Sequence, residues 1–101
     1  IVIDAMDIPF GFNLGYGFGD TSAATENILL AAEGTGLGAV WLGVYPYKDR
    51  SASISSILKL PEGIVPFSLI SVGHPAGTEK PKQKYDPSRL FLQQWGMPFR
   101  P

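Results

Sequence analysis

Cysteine is absent from the 101 residues, and with it go disulfides, thiolate nucleophiles and thiolate metal sites. Histidine occurs once, at His74, so neither a multi-His metal site nor a histidine-rich active site can be built within the chain. No apolar run approaches the roughly 20 residues of a membrane span, and no signal-peptide pattern opens the sequence. The expectation is a soluble, cytoplasmic protein of a reducing compartment, with no membrane partner. Lysine and arginine are missing from residues 1–47, which hold Asp4, Asp7, Asp20, Glu26 and Glu33. Residues 48–101 carry all eight cations against four acids, and the net charge is −1. A nucleic-acid binder is usually basic overall, with aromatics interleaved in the basic stretch, so no nucleic-acid partner is expected. The local cluster Lys80-Pro-Lys82-Gln-Lys84 suits a small anion, such as a phosphate, better than a polymer.

Twelve glycines and nine prolines cut the chain into short elements. A composition of 45% apolar and 17% charged residues suits a packed core and excludes a disordered chain. Residues 1–5 predict a strand by their β-branched content. That strand begins at the first residue, which points to a fragment of a longer domain. Residues 9–19 alternate glycine with aromatics and have no helical period, which predicts a loop. Asp20, Thr21 and Ser22 offer N-cap chemistry for a helix over about 21–33. Small residues on most of its sides predict that this helix is almost wholly buried, at a subunit interface. Gly34-Thr-Gly36-Leu-Gly38 ends it, since glycine takes the left-handed conformation of a helix C-terminus.

Residues 39–44, an unbroken apolar run, predict a strand covered on both faces. Residues 48–60 predict a second helix with Ile54, Ile57 and Leu58 on its core face, and residues 65–72 another buried strand. A polar, lysine-bearing loop over 75–88 and an apolar tail with Leu90, Phe91, Leu92 and Trp95 follow. The order of strand, helix, strand, helix, strand is a sheet carrying helices, α/β or α+β.

Few motifs carry chemistry of their own. Gly34-Thr-Gly36-Leu-Gly38-Ala39 fits the glycine-rich dinucleotide string, but it follows a helix and opens a strand. The pyrophosphate site needs the reverse, a strand feeding a helix N-terminus, so these glycines read as a cap and a tight turn. Ser51, Ser53, Ser55 and Ser56 lack the glycines of a nucleophile elbow. Asp4, Asp7 and Asp20 match no EF-hand spacing, and no metal site is expected. Trp41 could stack on a ligand, but its place in an apolar strand favours core packing.

The order of residues says more than their composition. Asp20-x-Ser22-Ala-Ala24-x-x-Asn27-Ile-Leu29-Leu-Ala31-Ala32, then Gly36-Leu-Gly38-Ala-Val40-Trp41-Leu-Gly43, resembles the central block of the nitroreductase-like flavoproteins. The resemblance continues through Leu58-x-Leu60-Pro61-Glu62 and Val65-Pro66-Phe67-x-Leu69-Ile70-x-Val72-Gly73-His74-Pro75. It closes with Lys84-Tyr85-Asp86-x-Ser88-Arg89 and Trp95.

This resemblance implies the α+β nitroreductase fold, a central mixed β-sheet flanked by helices, in a homodimer. It implies an FMN-dependent oxidoreductase that passes electrons from NAD(P)H to nitroaromatics, quinones or similar small-molecule acceptors by a ping-pong route. In such a site the flavin does the redox chemistry, and the protein supplies position, electrostatics and access. The resemblance lays the backbone of Trp41, Leu42 and Gly43 along the flavin ring near its N5 position, where Gly43 permits close approach. It makes Lys82 and Lys84 candidates for the FMN phosphate. Arg89 either pairs with Asp86 or reaches across the dimer, and the apolar tail packs on another subunit. Residues 1–101 are then a single nitroreductase-like domain lacking its N-terminal third, where the family carries an arginine-rich helix. Residues 9–19 either line the substrate entrance or serve as a long connection. Alternatives are a fold relative that dehalogenates or consumes flavin, and a protein that binds flavin without turnover.

Overall fold

The computed structural model describes residues 2–7 and 14–99 of the chain. Five regular elements come in the order β1 (Val2–Asp7), α1 (Leu14–Gly34), β2 (Gly38–Gly43), α2 (Lys48–Leu58) and β3 (Ile64–Gly73), and a short 3-10 turn follows at Pro87–Arg89. The three strands form one sheet in the order β1-β3-β2. Both ladders are antiparallel, so among the described residues the sheet is not the mixed one that the resemblance implies. The two strands that run parallel to each other are held apart by β3 and never pair.

β3 is the centre of the sheet, and its sequence shows why. Pro66, Ser68 and Ile70 are buried, with half-buried Phe67 and Leu69 between them. From Ser68 to Ile70 this is the period-two alternation of a strand with a different layer on each face, and a bulge at Phe67 interrupts it before Pro66. Ser68 faces α1, where its hydroxyl and that of Thr25 lie 3.0 Å apart in a buried hydrogen bond. Leu69 turns to the opposite face, where Ser53 and Ile54 of α2 border the same cavity. A proline in a central strand normally interrupts the ladder, and here it sits beside a bulge. Asp4 pairs with Ser68 and Ala5 with Pro66, leaving Phe67 as the extra residue.

α1 begins at Leu14, well before the start that cap chemistry predicts, so the described part of the glycine–aromatic stretch, residues 14–19, is helical rather than loop. The earlier part, residues 9–13, lies outside the described residues. Glycines cost helix stability, roughly 1 kcal/mol each against alanine, but tertiary packing overrides them. The Phe18 ring lies 4.8 Å from that of Tyr45 and 6.1 Å from that of Phe67. Thr21 is no cap: its hydroxyl donates back to the Gly17 carbonyl at 2.6 Å, a mid-helix pattern.

At its other end α1 closes as the sequence predicts. Leu37 N–H donates to the Ala32 carbonyl at 2.8 Å and Gly36 N–H to that of Glu33 at 3.1 Å, with Gly36 at φ +77°. α2 closes with the same pair of bonds, from Leu60 to Ser55 and from Lys59 to Ser56. There a lysine takes the left-handed position, at φ 53°.

Exposure corrects three expectations. α1 buries Thr21, Thr25 and Ala32 on one side, while Ala23, Ala24, Asn27, Leu30 and Ala31 stand exposed within this chain. β2 is an edge strand, not a covered one: Val40 is 51% exposed and Leu42 44%. Ile57 and Leu58 of α2, expected in the core, are 73% and 41% exposed, and Ile54 is half-buried. Among the described residues the fully apolar core reduces to Ala32, Val44 and Ile70. The Cα radius of gyration is 17.4 Å, against about 13 Å for a compact domain of 100 residues. The layers are laid out, and much of their apolar surface stays open.

Candidate functional site

The residues singled out along β2 stand at the free edge of the sheet, and the hydrogen-bond phase of the ladder decides what they present. Val44 N–H donates to the Phe67 carbonyl at 3.3 Å, and Tyr45 N–H to the same oxygen at 3.1 Å. Gly43 pairs with Ser68, one position before. Backbone groups in an antiparallel ladder alternate between facing the partner and facing away, so the N–H and C=O of Gly43 point outward from β3. The carbonyl is occupied: Arg50 Nη1 donates to it at 3.1 Å. The Arg50 guanidinium also lies over the Tyr47 ring, 4.4 Å from its centre. No heavy atom stands within 4 Å of where a Cβ on Gly43 would be. A planar group can therefore approach this backbone closely.

A cavity of about 360 Å³ opens at this point, lined by Leu42, Gly43, Val44, Asp49, Arg50, Ser53, Ile54 and Leu69. Leu42 and Leu69 are register partners and share the face that looks toward α2. The wall is mostly apolar, with one guanidinium, one carboxylate and one hydroxyl at its α2 side. Leu42 and Gly43 line the cavity, whereas Trp41 does not. Trp41 turns to the Phe67 ring at 6.0 Å and stays 36% exposed.

Lys82 and Lys84 lie on the exposed segment after β3, and neither lines the cavity. The ion pair present among the described residues is Arg89 Nε to Asp86 Oδ2 at 3.1 Å, which gives Arg89 the nearer of its two expected partners. Asp86 also caps the 3-10 turn, accepting from the Ser88 hydroxyl at 2.6 Å and the Ser88 N–H at 3.1 Å. The Ser88 hydroxyl, then the Ser88 N–H and the Arg89 guanidinium, hold the Asp86 carboxyl below the usual carboxylate range. The tail beyond it doubles back: Phe99 N–H donates to the Leu90 carbonyl at 2.9 Å, and the Phe91 and Trp95 rings lie 4.5 Å apart. Trp95 is nevertheless 89% exposed. Among the described residues no group of three acidic or histidine side chains could hold a metal ion. No helix among them is long and apolar enough to cross a membrane.

Sequence reasoning missed Arg50. Its partner is a backbone carbonyl seven positions earlier, on a different element, and no motif spans that gap. The one local signal was Tyr47, one helical turn before Arg50 and able to stack with it.

Comparison with known proteins places the chain in one family. The model of the nitroreductase family matches residues 14–74. A Methanothermobacter thermautotrophicus protein, provisionally named an NADH dehydrogenase/NAD(P)H nitroreductase, is 46% identical over 81 residues, covering 80% of this chain and 42% of the relative. A Bacillus subtilis protein named FMN reductase (NADPH) is 29% identical over 72 residues, covering 71% of this chain and 28% of its own length. The crystal structure of a Bacteroides thetaiotaomicron protein with the same provisional name as the first is 46% identical, with a TM-score of 0.82. That match covers 92% of this chain and 54% of the other. The chain thus spans about half the length of such relatives.

Proposed function

This chain belongs to the nitroreductase family, and from that premise we propose that it builds one wall of the flavin site of an FMN-dependent NAD(P)H oxidoreductase. The observation that carries the proposal is Gly43. It stands at an open sheet edge with its N–H turned outward, its carbonyl occupied by Arg50 and free space where a side chain would be. A flavin ring needs such a place, a flat backbone surface offering a donor beside an apolar wall. FMN, when bound, supplies the two-electron redox chemistry.

The protein's part is position and access. The backbone of Trp41, Leu42 and Gly43 borders the ring, and the outward N–H of Gly43 is the donor for the N5 position. Leu42 and Leu69 keep water from that face. Lys82 and Lys84, exposed and outside any ion pair among the described residues, hold the phosphate by charge-assisted hydrogen bonds. The full enzyme is a cytoplasmic homodimer that takes electrons from NAD(P)H and delivers them to nitroaromatics, quinones or related acceptors by a ping-pong route. Exposed Leu30, Leu92 and Trp95 and the open layout of the chain support a second subunit covering this surface.

Titration of the flavin-free protein with FMN and with riboflavin tests the site. Lys84→Ala is expected to weaken FMN binding by roughly 1.5–3 kcal/mol, the range for a hydrogen bond to a charged group. Riboflavin, which lacks the phosphate, should bind both forms equally. Bleaching of the yellow protein by NADH or NADPH, with colour returning in air, distinguishes a reductase from a carrier. FMN affinity unchanged in Lys82→Ala, Lys84→Ala and the double variant would return this loop to solvent.

A further inference from the structure

We propose that Arg50 is a positioning residue for the Gly43 backbone and that its charge sets the redox balance of the group bound there. The proposal rests on the reading of Gly43 as the flavin-facing residue, and it adds a residue from a different element of the fold.

Three observations carry it. First, a glycine at a free strand edge has little to hold it: β2 has no neighbour beyond it among the described residues, and Gly43 has no side chain to pack. The Arg50 Nη1 bond to the Gly43 carbonyl, at 3.1 Å, ties this peptide to the first turn of α2. Second, the guanidinium is itself oriented. Its central carbon lies over the Tyr47 ring, 4.4 Å from the ring centre, while Nη1 reaches the carbonyl, so two contacts restrict the side chain. Third, among the described residues the guanidinium has no carboxylate in contact with it. Asp49 lines the same cavity, yet no ion pair joins it to Arg50 among the described residues. A permanent cation therefore stands at the cavity rim, next to the backbone on which the ring would lie. Both effects act in one direction. Fixing the peptide keeps the outward N–H on target, and the positive charge favours a bound group that gains negative charge on reduction.

Tyr47 completes the arrangement. It precedes Arg50 by three positions on one helical turn, so the two side chains meet on the same face. Lysine could supply the charge at position 50, but not the flat fork that stacks on a ring while donating sideways.

The test compares Arg50→Met, Arg50→Lys and a control at the far end of α2, Lys59→Met, with the parent protein. The flavin-free proteins are examined by amide hydrogen exchange and nitrogen–proton correlation spectra at Gly43 and Val44. The FMN-loaded proteins are examined by midpoint potential. Arg50→Met is expected to move both amide signals and speed their exchange, and to lower the ratio of reduced to oxidised flavin about tenfold at fixed potential. For a two-electron couple that ratio corresponds to about 30 mV. Arg50→Lys should recover part of the potential but not the amide positions, and Lys59→Met should leave both unchanged. Unmoved amides and an unmoved potential in Arg50→Met, in a protein that still binds FMN, would overturn the proposal and leave the flavin site standing. If the parent protein binds no FMN, the flavin reading falls, and the amide measurements alone decide whether Arg50 positions Gly43.

Discussion

β2 and β3 are both mostly apolar strands with opposite fates. Each is an apolar run of strand length, yet β3 buries Pro66, Ser68 and Ile70 while β2 leaves Val40, Trp41 and Leu42 open. The difference lies in their place in the sheet. β3 has a strand on each side and a helix on each face, so every alternate residue meets a packed layer. Among the described residues β2 has one neighbour, and of its outward backbone groups the Gly43 carbonyl is held by Arg50. In this chain the candidate site collects on the open strand. The buried strand carries stability, and the open strand carries the surface on which something else must lie.

The sharpest way to break this comparison is to shorten one side chain in each strand. Ile70→Ala removes a fully buried side chain and should cost about 2–5 kcal/mol in denaturant unfolding. Val40→Ala, at a half-exposed edge position, should cost under about 1 kcal/mol. Equal losses would mean that β2 is covered in solution. Ser68→Ala probes the link between β3 and α1. Losing the hydrogen bond to Thr25 should cost about 0.5–1.5 kcal/mol, and exchange of the backbone amides of α1 should quicken while those of α2 hold steady.

The smallest effect lies outside both strands. The Asp86 carboxyl is held below the usual carboxylate range by Ser88 and Arg89. A depressed folded-state value contributes stability at neutral pH, and that stability is lost as acid protonates the carboxylate. The 3-10 turn should therefore loosen only below the ordinary aspartate range. Asp86→Asn should abolish that acid step, as read from the Ser88 amide shift, and leave both strands undisturbed.

Much of this fold was legible in the sequence because its signals are local. The strand at β3, the glycine turn at Gly36 and the start of α2 with its approximate end follow from apolar runs and helix-breaking residues. The start of α1 was hidden because Gly15, Gly17 and Gly19 read as breakers, while the stabilising contacts of Phe18 come from Tyr45 and Phe67, far along the chain. The exposure of β2 was hidden because an apolar run does not reveal how many neighbours a strand has. At the site, Gly43 could be singled out by order and resemblance. Arg50 could not, because its bond exists only once α2 folds back against the end of β2.

The bulge at Phe67 has a consequence for how this chain tolerates changes in length. Both ladders skip or end at that residue: β1 passes from Ser68 to Pro66, and β2 stops opposite Ser68. Removing any other single residue from the paired stretch of β3 would turn half of its side chains to the wrong face. Removing Phe67 would leave every register partner opposite its mate, at the expense of the ring that meets Phe18 and Trp41 and the carbonyl that receives Val44 and Tyr45. A relative one residue shorter at this point would keep the sheet and lose the clasp at the end of β2, so an alignment gap here would mark a change in the site and not in the fold.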